Sequence, residues 1–357
     1  MSDHTSKNVK PPSLAIGPAN YAGQATAWAA AVRKHLEVAA WSFAEAPVGS
    51  GGFRFDVDKP IHRALFRNPV ARGMRSRKLF AGLTHVALDG FEPYFHLKRR
   101  RKFAGDLAWL NAAGYKTALI AHGSDVRDPH RHIEINGKWS MYLAGDAEWR
   151  ADLARAARLH RAVAESSGRP VFYSTPDLRL DLEGGTWLPV CLDVNAWGTD
   201  APLLERAQPR VLHIPSRRNP PIKGTQFVDP VLRKLDDAGK IEYVCPESVP
   251  HSEMRSLVHD VDIVVDQLLA GSYGVAAIEA MSAGRVTVGR LAPPVLDLMP
   301  EAPPIVQATP DELEETIVAI VEDRDHYRRL GREGINFAHI WHSGKASATA
   351  LRGYLER

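Results

Sequence analysis

The stretch from Val261 to Gly289 does more than any other part of the sequence to narrow the choice of fold. Its first part, Asp262–Asp266, is a short β-branched run bounded by turn residues, which is typical of a strand buried on both faces. Residues Val275–Ala283 favour a helix that Gly284 can end as a C-cap, and a second strand follows. A strand, a glycine-bearing loop, a helix and a strand in this order predict a parallel α/β sheet.

The loop Ala270–Gly274 and the helix after it predict an anion site. The first turn of a helix presents free backbone N–H groups at the positive end of the helix dipole. Glu279 lies about a turn and a half inside this helix, between Ile278 and Ala280. A carboxylate with apolar neighbours usually has a partner, so we expect Glu279 to bind a ligand rather than to face solvent.

The rest of the chain repeats the same alternation, and 357 residues are enough for two domains. The pattern predicts two doubly wound Rossmann-like domains of the α/β class, residues 13–195 and 196–340, after a disordered tail of residues 1–12. Pro129–Asp146 is polar and is predicted to be an irregular insertion. The predicted strands are Ser13–Gly17, Val38–Phe43, Thr84–Leu88, Lys116–Ala121, Val171–Ser174, Val211–Ile214, Ile241–Cys245 and Ile305–Ala308, and the predicted helices include Ala25–Leu36, Arg101–Ala113, Ala147–Ser167, Thr225–Ala238 and His251–His259.

The composition is typical of a soluble globular protein. The chain is 45% hydrophobic and 24% charged, and no apolar run reaches the roughly 18–20 residues that a membrane helix needs. The polar N-terminus lacks the apolar core of a signal peptide, and two cysteines imply no disulfide framework. We therefore expect a cytoplasmic protein.

Positive charge is concentrated between residues 60 and 102, which hold eleven Lys/Arg against two acidic residues. Such a segment can face anionic lipid on the inner side of the membrane, a phosphorylated acceptor or nucleic acid. A solvated helix face is the equally weighted alternative, and nucleic acid is the least favoured partner because few aromatic residues are interleaved. The basic residues are Arg63, Arg67, Arg72, Arg75, Arg77, Lys78, Lys98, Arg99, Arg100, Arg101 and Lys102.

Several motifs, taken together, resemble a known family. Ser174–Leu178 (STPDL), Trp187–Asp193 (WLPVCLD), His213–Thr225 (HIPSRRNPPIKGT) and the Val261–Gly289 block occur in the order and spacing of the retaining glycosyltransferases of family 4, which have the GT-B fold. His122–Val126 (HGSDV) is similar to an N-terminal-domain loop of that family. The terminal segment, residues 341–357, is similar to its last helix, which crosses back onto the N-terminal domain.

The resemblance implies a nucleotide-sugar donor in a cleft between two domains, and metal-independent transfer with retention. Arg218 and Lys223 occupy the positions that hold the donor diphosphate, with help from N–H groups at Gly274 and Val275. Glu279 accepts hydrogen bonds from the ribose, and His122 is either a catalytic contact to donor sugar or acceptor, or a core histidine. The expected acceptor is a hydroxyl of a glycan, a lipid-linked intermediate or a small molecule. The remaining predicted donor contacts are Gly23, Val249 in the base-recognition loop, Gly271, Ser272 and Tyr273.

No cofactor or metal is predicted, because the nucleotide sugar is a substrate and the histidines His130 and His132 lack a third ligand at metal spacing.

One position departs from the family. Its Glu-x7-Glu pattern has the first glutamate where this chain has Gly271, and that carboxylate normally lies against the transferred sugar. Asp266 is a candidate substitute. Two alternatives follow: a non-catalytic protein that binds nucleotide sugars or carbohydrate, and a glycosyltransferase that acts on nucleic acid.

Overall fold

Two all-parallel sheets form the framework of the chain. The computed structural model describes residues 10–45, 55–61, 74, 77–91, 103–215, 219–246 and 249–357. The first sheet has the strand order β3-β2-β1-β4-β5-β6-β7 and the second has β12-β11-β10-β8-β9. The strands are β1 Ser13–Pro18, β2 Ala39–Glu45, β3 Lys59–Ile61, β4 His85–Asp89, β5 Lys116–Ala121, β6 Val171–Tyr173, β7 Thr186–Trp187, β8 Arg210–His213, β9 Glu242–Val244, β10 Ile263–Val265, β11 Val286–Gly289 and β12 Val306–Gln307.

Helices connect the parallel strands, as a doubly wound sheet requires. Each predicted strand is present within a few residues of its expected bounds, whereas the short strands β3 and β7 were not predicted. The helices of the described residues are α1 Gln24–Leu36, α2 Phe103–Ala112, α3 Pro129–Asn136, α4 Ala147–Ser166, α5 Val194–Trp197, α6 Thr225–Asp237, α7 His251–His259, α8 Val275–Ser282, α9 Pro293–Asp297, α10 Leu313–Glu322, α11 Arg324–His342 and α12 Lys345–Leu355.

Helix α12 packs on the domain of the first sheet, although it follows the second sheet in sequence. Leu351 and Tyr354 are buried in one cluster with Trp28 of α1 and Leu14 of β1. The Tyr354 hydroxyl donates a hydrogen bond to the Lys116 carbonyl at 2.8 Å. Burying such side chains contributes about 1.5–3 kcal/mol each, so this contact fixes the terminal helix to the N-terminal domain.

The segment Pro129–Asp146 is not the irregular insertion that its polarity suggested. Asp128 caps α3, because its carboxylate accepts a hydrogen bond from the His130 N–H at 2.9 Å, and Pro129 occupies the first helical position. Two short 3₁₀ turns, Gly137–Trp139 and Met141–Ala144, follow. The prediction was wrong because the Asp-Pro helix start was outweighed by the polarity of the residues after it.

This segment, residues 129–146, joins the two domains and is called the bridge below. The His132 ring nitrogen Nε2 lies 2.9 Å from the Ala270 carbonyl, and the Met141 N–H donates to the Leu269 carbonyl at 2.9 Å. Met141 and Leu269 are buried in a cluster of their own. The bridge therefore connects the two domains through backbone, side-chain and apolar contacts.

The strand order of each sheet reverses next to its first strand. In the first sheet β1 lies between β2 and β4, and in the second β8 lies between β9 and β10. Ligands of open α/β sheets bind beyond the carboxyl ends of the strands at such reversal points. No helix in the described ranges is long and apolar enough to cross a membrane.

Candidate active site

A cavity of about 850 Å³ lies between the two domains at these strand ends. Its N-terminal wall comes from the loop after β1 and the end of β2, and its C-terminal wall from the ends of β8 and β10 and the start of α8. A volume of this size holds a ligand of several hundred daltons. Of the predicted site residues, the cavity brings together Gly23, Lys223, Gly274, Val275 and Glu279.

The loop after β1 is held in a fixed shape by a buried carboxylate. Asp89, at the end of β4, accepts hydrogen bonds from the N–H groups of Ala19 at 2.8 Å and Asn20 at 2.7 Å. Gly23 has φ +75°, and a Cβ there would lie 2.9 Å from the Phe55 ring. Backbone geometry and contact both favour glycine at this position. The loop can thus approach a ligand closely without rearranging.

His122 lies behind this loop and is not among the residues that line the cavity. Its ring stacks on Trp28 with centroids 5.6 Å apart and meets the Tyr21 ring edge-on at 5.1 Å. Nε2 is 3.7 Å from the Asp89 carboxylate. Tyr21 does line the cavity and is half exposed. In this conformation His122 packs against Tyr21 on the side away from the cavity-lining residues. A catalytic contact of His122 stays a prediction.

Lys223 reaches the cavity from the loop between β8 and α6. Its carbonyl accepts a hydrogen bond from the Leu268 N–H at 3.1 Å, which ties this loop to the one after β10. Its ammonium lies 2.9 Å from Oδ1 of Asp266, and both side chains are largely buried. Arg218, the other predicted phosphate ligand, is outside the described residues. Lys223 thus places a cation on the C-terminal wall.

Helix α8 begins at the cavity, and its first turn has no side-chain cap. Gly274 is extended rather than left-handed, and Val275 and Ala276 line the wall. The free N–H groups of this turn and the positive helix end favour a negative ligand group there. The structure therefore places Lys223 and an uncapped helix start in the wall of one cavity.

Glu279 lies on the same helix with 6% of its surface exposed. Burial raises the pKa of its carboxyl to about 8, since Lys223 only partly offsets the loss of hydration and Asp266 adds to the upward shift. Charging this buried carboxyl is costly, so partners that donate hydrogen bonds to it are favoured. Vicinal hydroxyl groups of a ribose meet that requirement.

Three other predicted donor contacts do not line the cavity. Gly271 has φ +63°, and a Cβ on it would lie 2.3 Å from the Asn136 side-chain oxygen of the bridge. Ser272 is buried, and its hydroxyl is one of the groups that lower the pKa of the Asp177 carboxyl. The Tyr273 hydroxyl lies 3.2 Å from the His342 ring inside the core. The glycine loop thus faces the bridge, and only its last residue reaches the cavity.

Val249 also lies apart from the cavity wall, half-buried against the cluster that includes Met254 and Val258. Those two residues do line the cavity, together with Leu212 and Ile214. They give the C-terminal wall an apolar patch of the kind that can cover the face of a base.

Sequence reasoning did not single out Tyr21, Phe55 or Asp89. Asp89-Gly90 directly after a buried strand was the available signal for the loop-holding carboxylate. Tyr21 and Phe55 carried no signal, because nothing local distinguishes them from other loop aromatics. Among the described residues, no group of three or more His, Cys, Asp or Glu converges in a way that could hold a metal ion.

No protein-family model matches this sequence, and no curated protein matches it. Solved structures do match over almost the whole chain. Sucrose-phosphate synthase from Thermosynechococcus elongatus is 13% identical, with a TM-score of 0.60 over 97% of this chain and 98% of that one. HepE from Anabaena, in complex with UDP and glucose, is 13% identical, with a TM-score of 0.55 over 97% and 99%. The catalytic domain of starch synthase IV from Arabidopsis thaliana, bound to ADP and acarbose, is 11% identical, with a TM-score of 0.56 over 97% and 99%.

At this level of identity the likeness establishes architecture. The two parallel sheets and the coverage of both chains confirm the fold predicted from the sequence. Membership of family 4 and the role of the Glu-x7-Glu pattern stay predictions. The chain has the GT-B fold of glycosyltransferases.

Proposed function

We propose that this protein is a glycosyltransferase that moves a sugar from a nucleotide-sugar donor to a hydroxyl group. One observation carries the proposal: a single interdomain cavity holds Lys223, the uncapped start of α8 and the buried Glu279. A cation beside free backbone N–H groups suits a diphosphate, and a buried carboxyl nearby suits a ribose. A nucleoside diphosphate carries these two groups in adjacent positions.

Transfer of the sugar requires stabilisation of the leaving group, which is the nucleoside diphosphate. As the bond between sugar and phosphate breaks, negative charge grows on the nucleoside diphosphate. The Lys223 ammonium and the N–H groups at Val275 and Ala276 are fixed before the reaction, so they stabilise this charge without reorganising. Arg218 is proposed to join them. Because these groups supply positive charge, we propose transfer without a metal ion, whereas retention of configuration rests on the family resemblance alone.

Ligands of the matched structures support the same class of donor. The HepE complex contains UDP and glucose, and the starch synthase complex contains ADP and acarbose. Both include a nucleoside diphosphate and a carbohydrate. We propose a donor of this general kind here, with its base against the apolar patch at Ile214 and Met254.

The acceptor is proposed to bind on the N-terminal wall, next to Tyr21 and Phe55. These rings offer apolar faces, which suit the face of a sugar ring in a glycan, a lipid-linked intermediate or a small glycoside. The basic segment 60–102 would then bring the enzyme to anionic membrane from the cytoplasmic side. Most of that segment lies outside the described residues, so this contact stays a prediction.

A non-catalytic nucleotide-sugar-binding protein is the second candidate. Gly271, which replaces the first glutamate of the family pattern, faces Asn136 and leaves no side chain for the sugar. The two candidates differ in whether the bond between sugar and phosphate is broken.

The test is incubation of the purified full-length protein with UDP-, GDP-, ADP- and TDP-sugars, with free nucleoside diphosphate measured by mass spectrometry. A glycosyltransferase releases the diphosphate slowly with water as acceptor and faster with a suitable glycan. Lys223→Ala removes the leaving-group cation and should reduce release about 100-fold or more. Lys234→Ala, on the exposed face of α6, is the matched control. Tight binding of a donor without any release would favour the second candidate, and no binding of any donor would refute both.

A further inference from the structure

Asp266 stands in the cavity with one of its two carboxylate oxygens unused. It follows β10 directly, lines the cavity and has 3% of its surface exposed. Oδ1 accepts a hydrogen bond from Lys223 at 2.9 Å. Oδ2 is buried and has no hydrogen-bond partner in the described part of the chain. A buried carboxylate oxygen without a partner is costly, and it therefore indicates a ligand that donates a hydrogen bond.

The diphosphate cannot be that ligand, because its oxygens only accept hydrogen bonds at neutral pH. Asp266 also adds a negative charge near the anion site and partly neutralises Lys223. Its presence there requires a hydroxyl or N–H group that lies close to the diphosphate. In a nucleotide sugar the rings next to the diphosphate are the ribose and the transferred sugar.

Glu279 already accounts for one of those rings. In the family that the sequence resembles, the carboxylate for the other ring comes from the position of Gly271. A Cβ built on Gly271 would face Asn136 of the bridge rather than the cavity. Asp266 and Glu279 are the carboxylates that the second domain places in the cavity wall. Asp266 Oδ2 lies about a van der Waals distance from a Cβ built on Gly274, at 4.0 Å, so it faces the start of α8.

We infer that Asp266 is a sugar-specificity residue that accepts a hydrogen bond from a hydroxyl of the transferred sugar. Asp266, at the end of β10, makes the carboxylate contact to the transferred sugar that Gly271 has no side chain to make. Lys223 keeps Asp266 in place and balances its charge before the sugar arrives. This inference rests on the proposed function, since it assigns a role within the same donor site.

The experiment compares each nucleoside diphosphate with its sugar nucleotide. Dissociation constants of UDP and UDP-glucose, ADP and ADP-glucose, and GDP and GDP-mannose are measured by calorimetry on the full-length protein. For the pair that the wild type binds, Asp266→Asn should weaken the sugar nucleotide relative to the free diphosphate by about 10–100-fold, as expected for a lost hydrogen bond to a charged group. Asp323→Asn is the matched control, because Asp323 does not line the cavity and accepts a helix-cap hydrogen bond from the His326 N–H that asparagine can also accept.

A ligand-side measurement avoids dependence on the folding of the variant. The wild type should lose about 10-fold or more in affinity for one of the monodeoxy forms of the sugar nucleotide that it binds. In Asp266→Asn, the same deoxy donor and its parent should bind equally well. A wild type that tolerates the loss of every sugar hydroxyl would overturn the inference.

The possible failures can be told apart. If Asp266→Asn weakens diphosphate and sugar nucleotide alike, Asp266 only positions Lys223 and the inference is wrong, although the proposed function stands. An unchanged affinity ratio leads to the same conclusion. If the wild type binds none of the six ligands, the proposed function fails and the inference falls with it.

Discussion

Replacing Glu279 by glutamine should change the free energy of unfolding in a pH-dependent way. The value for the variant minus the value for the wild type should be larger at high pH than at low pH. Burial disfavours the charged carboxylate and raises the pKa of Glu279 in the folded state to about 8, from an ordinary value of 4.5. The proton is therefore bound more tightly in the folded state. Its contribution to stability is fully present below pH 4.5 and is lost as the pH rises through about 8. Glutamine has the same shape and stays neutral throughout.

The size of the effect follows from the difference between these two pKa values. Each unit corresponds to 1.36 kcal/mol, so the free energy of unfolding of Glu279→Gln minus that of the wild type should grow by about 3–4 kcal/mol between pH 5 and pH 9. Urea denaturation of both proteins without nucleotide, followed by circular dichroism, measures this difference. Glu333→Gln on α11, where the side chain is exposed, is the control and should change stability by less than about 0.5 kcal/mol. An equal difference at both pH values would refute the buried, protonated carboxyl.

Three further predictions concern the packing of the bridge and the terminal helix, and the charge of Lys223. Gly271→Ala should cost about 2–4 kcal/mol of unfolding free energy, because its φ is +63° and the new Cβ would meet Asn136; in an Asn136→Ala background only the backbone part, about 1–2 kcal/mol, should remain. Equal costs in the two backgrounds would exclude the steric contact. Leu351→Ala in α12 should cost about 2–5 kcal/mol, whereas Leu159→Ala at an exposed position should cost less than about 0.5 kcal/mol. Similar costs would show that α12 does not pack on the N-terminal domain. Lys223→Ala should weaken binding of the nucleoside diphosphate that the wild type binds by about 10–100-fold at low salt in calorimetry, and an unchanged affinity would remove Lys223 from the diphosphate site.

Local patterns were sufficient for the framework of the fold. The β-branched run at β10, the glycine after α8 and the repeated strand–helix spacing depend on short-range physics, and these elements appear within a few residues of their predicted bounds. Lys223, Gly274 and Glu279 converge on one cavity because parallel strands end at the same edge of a sheet.

Long-range contacts could not be predicted in the same way. The approach of Asn136 to Gly271 joins residues 135 positions apart, and no local pattern encodes it. The sequence predicts an irregular segment for the bridge because its helices are short and its apolar residues pack on the other domain. The placement of Tyr273 in the core likewise depends on His342, which comes from a distant helix.

The bridge also bears on how far this protein can be divided or recombined. Trp139 of the bridge meets Phe227 of the second domain edge-on, with centroids 5.3 Å apart, and the Arg290 guanidinium donates to the Asn136 side chain at 2.7 Å. A second domain expressed alone would expose this apolar and hydrogen-bonding surface to water. Chimeras that exchange one domain for that of another GT-B protein must therefore carry residues 129–146 and the loop 269–271 as a matched pair. The two domains follow one another in the sequence as separate segments, but in the folded chain they share one interface whose two sides must match.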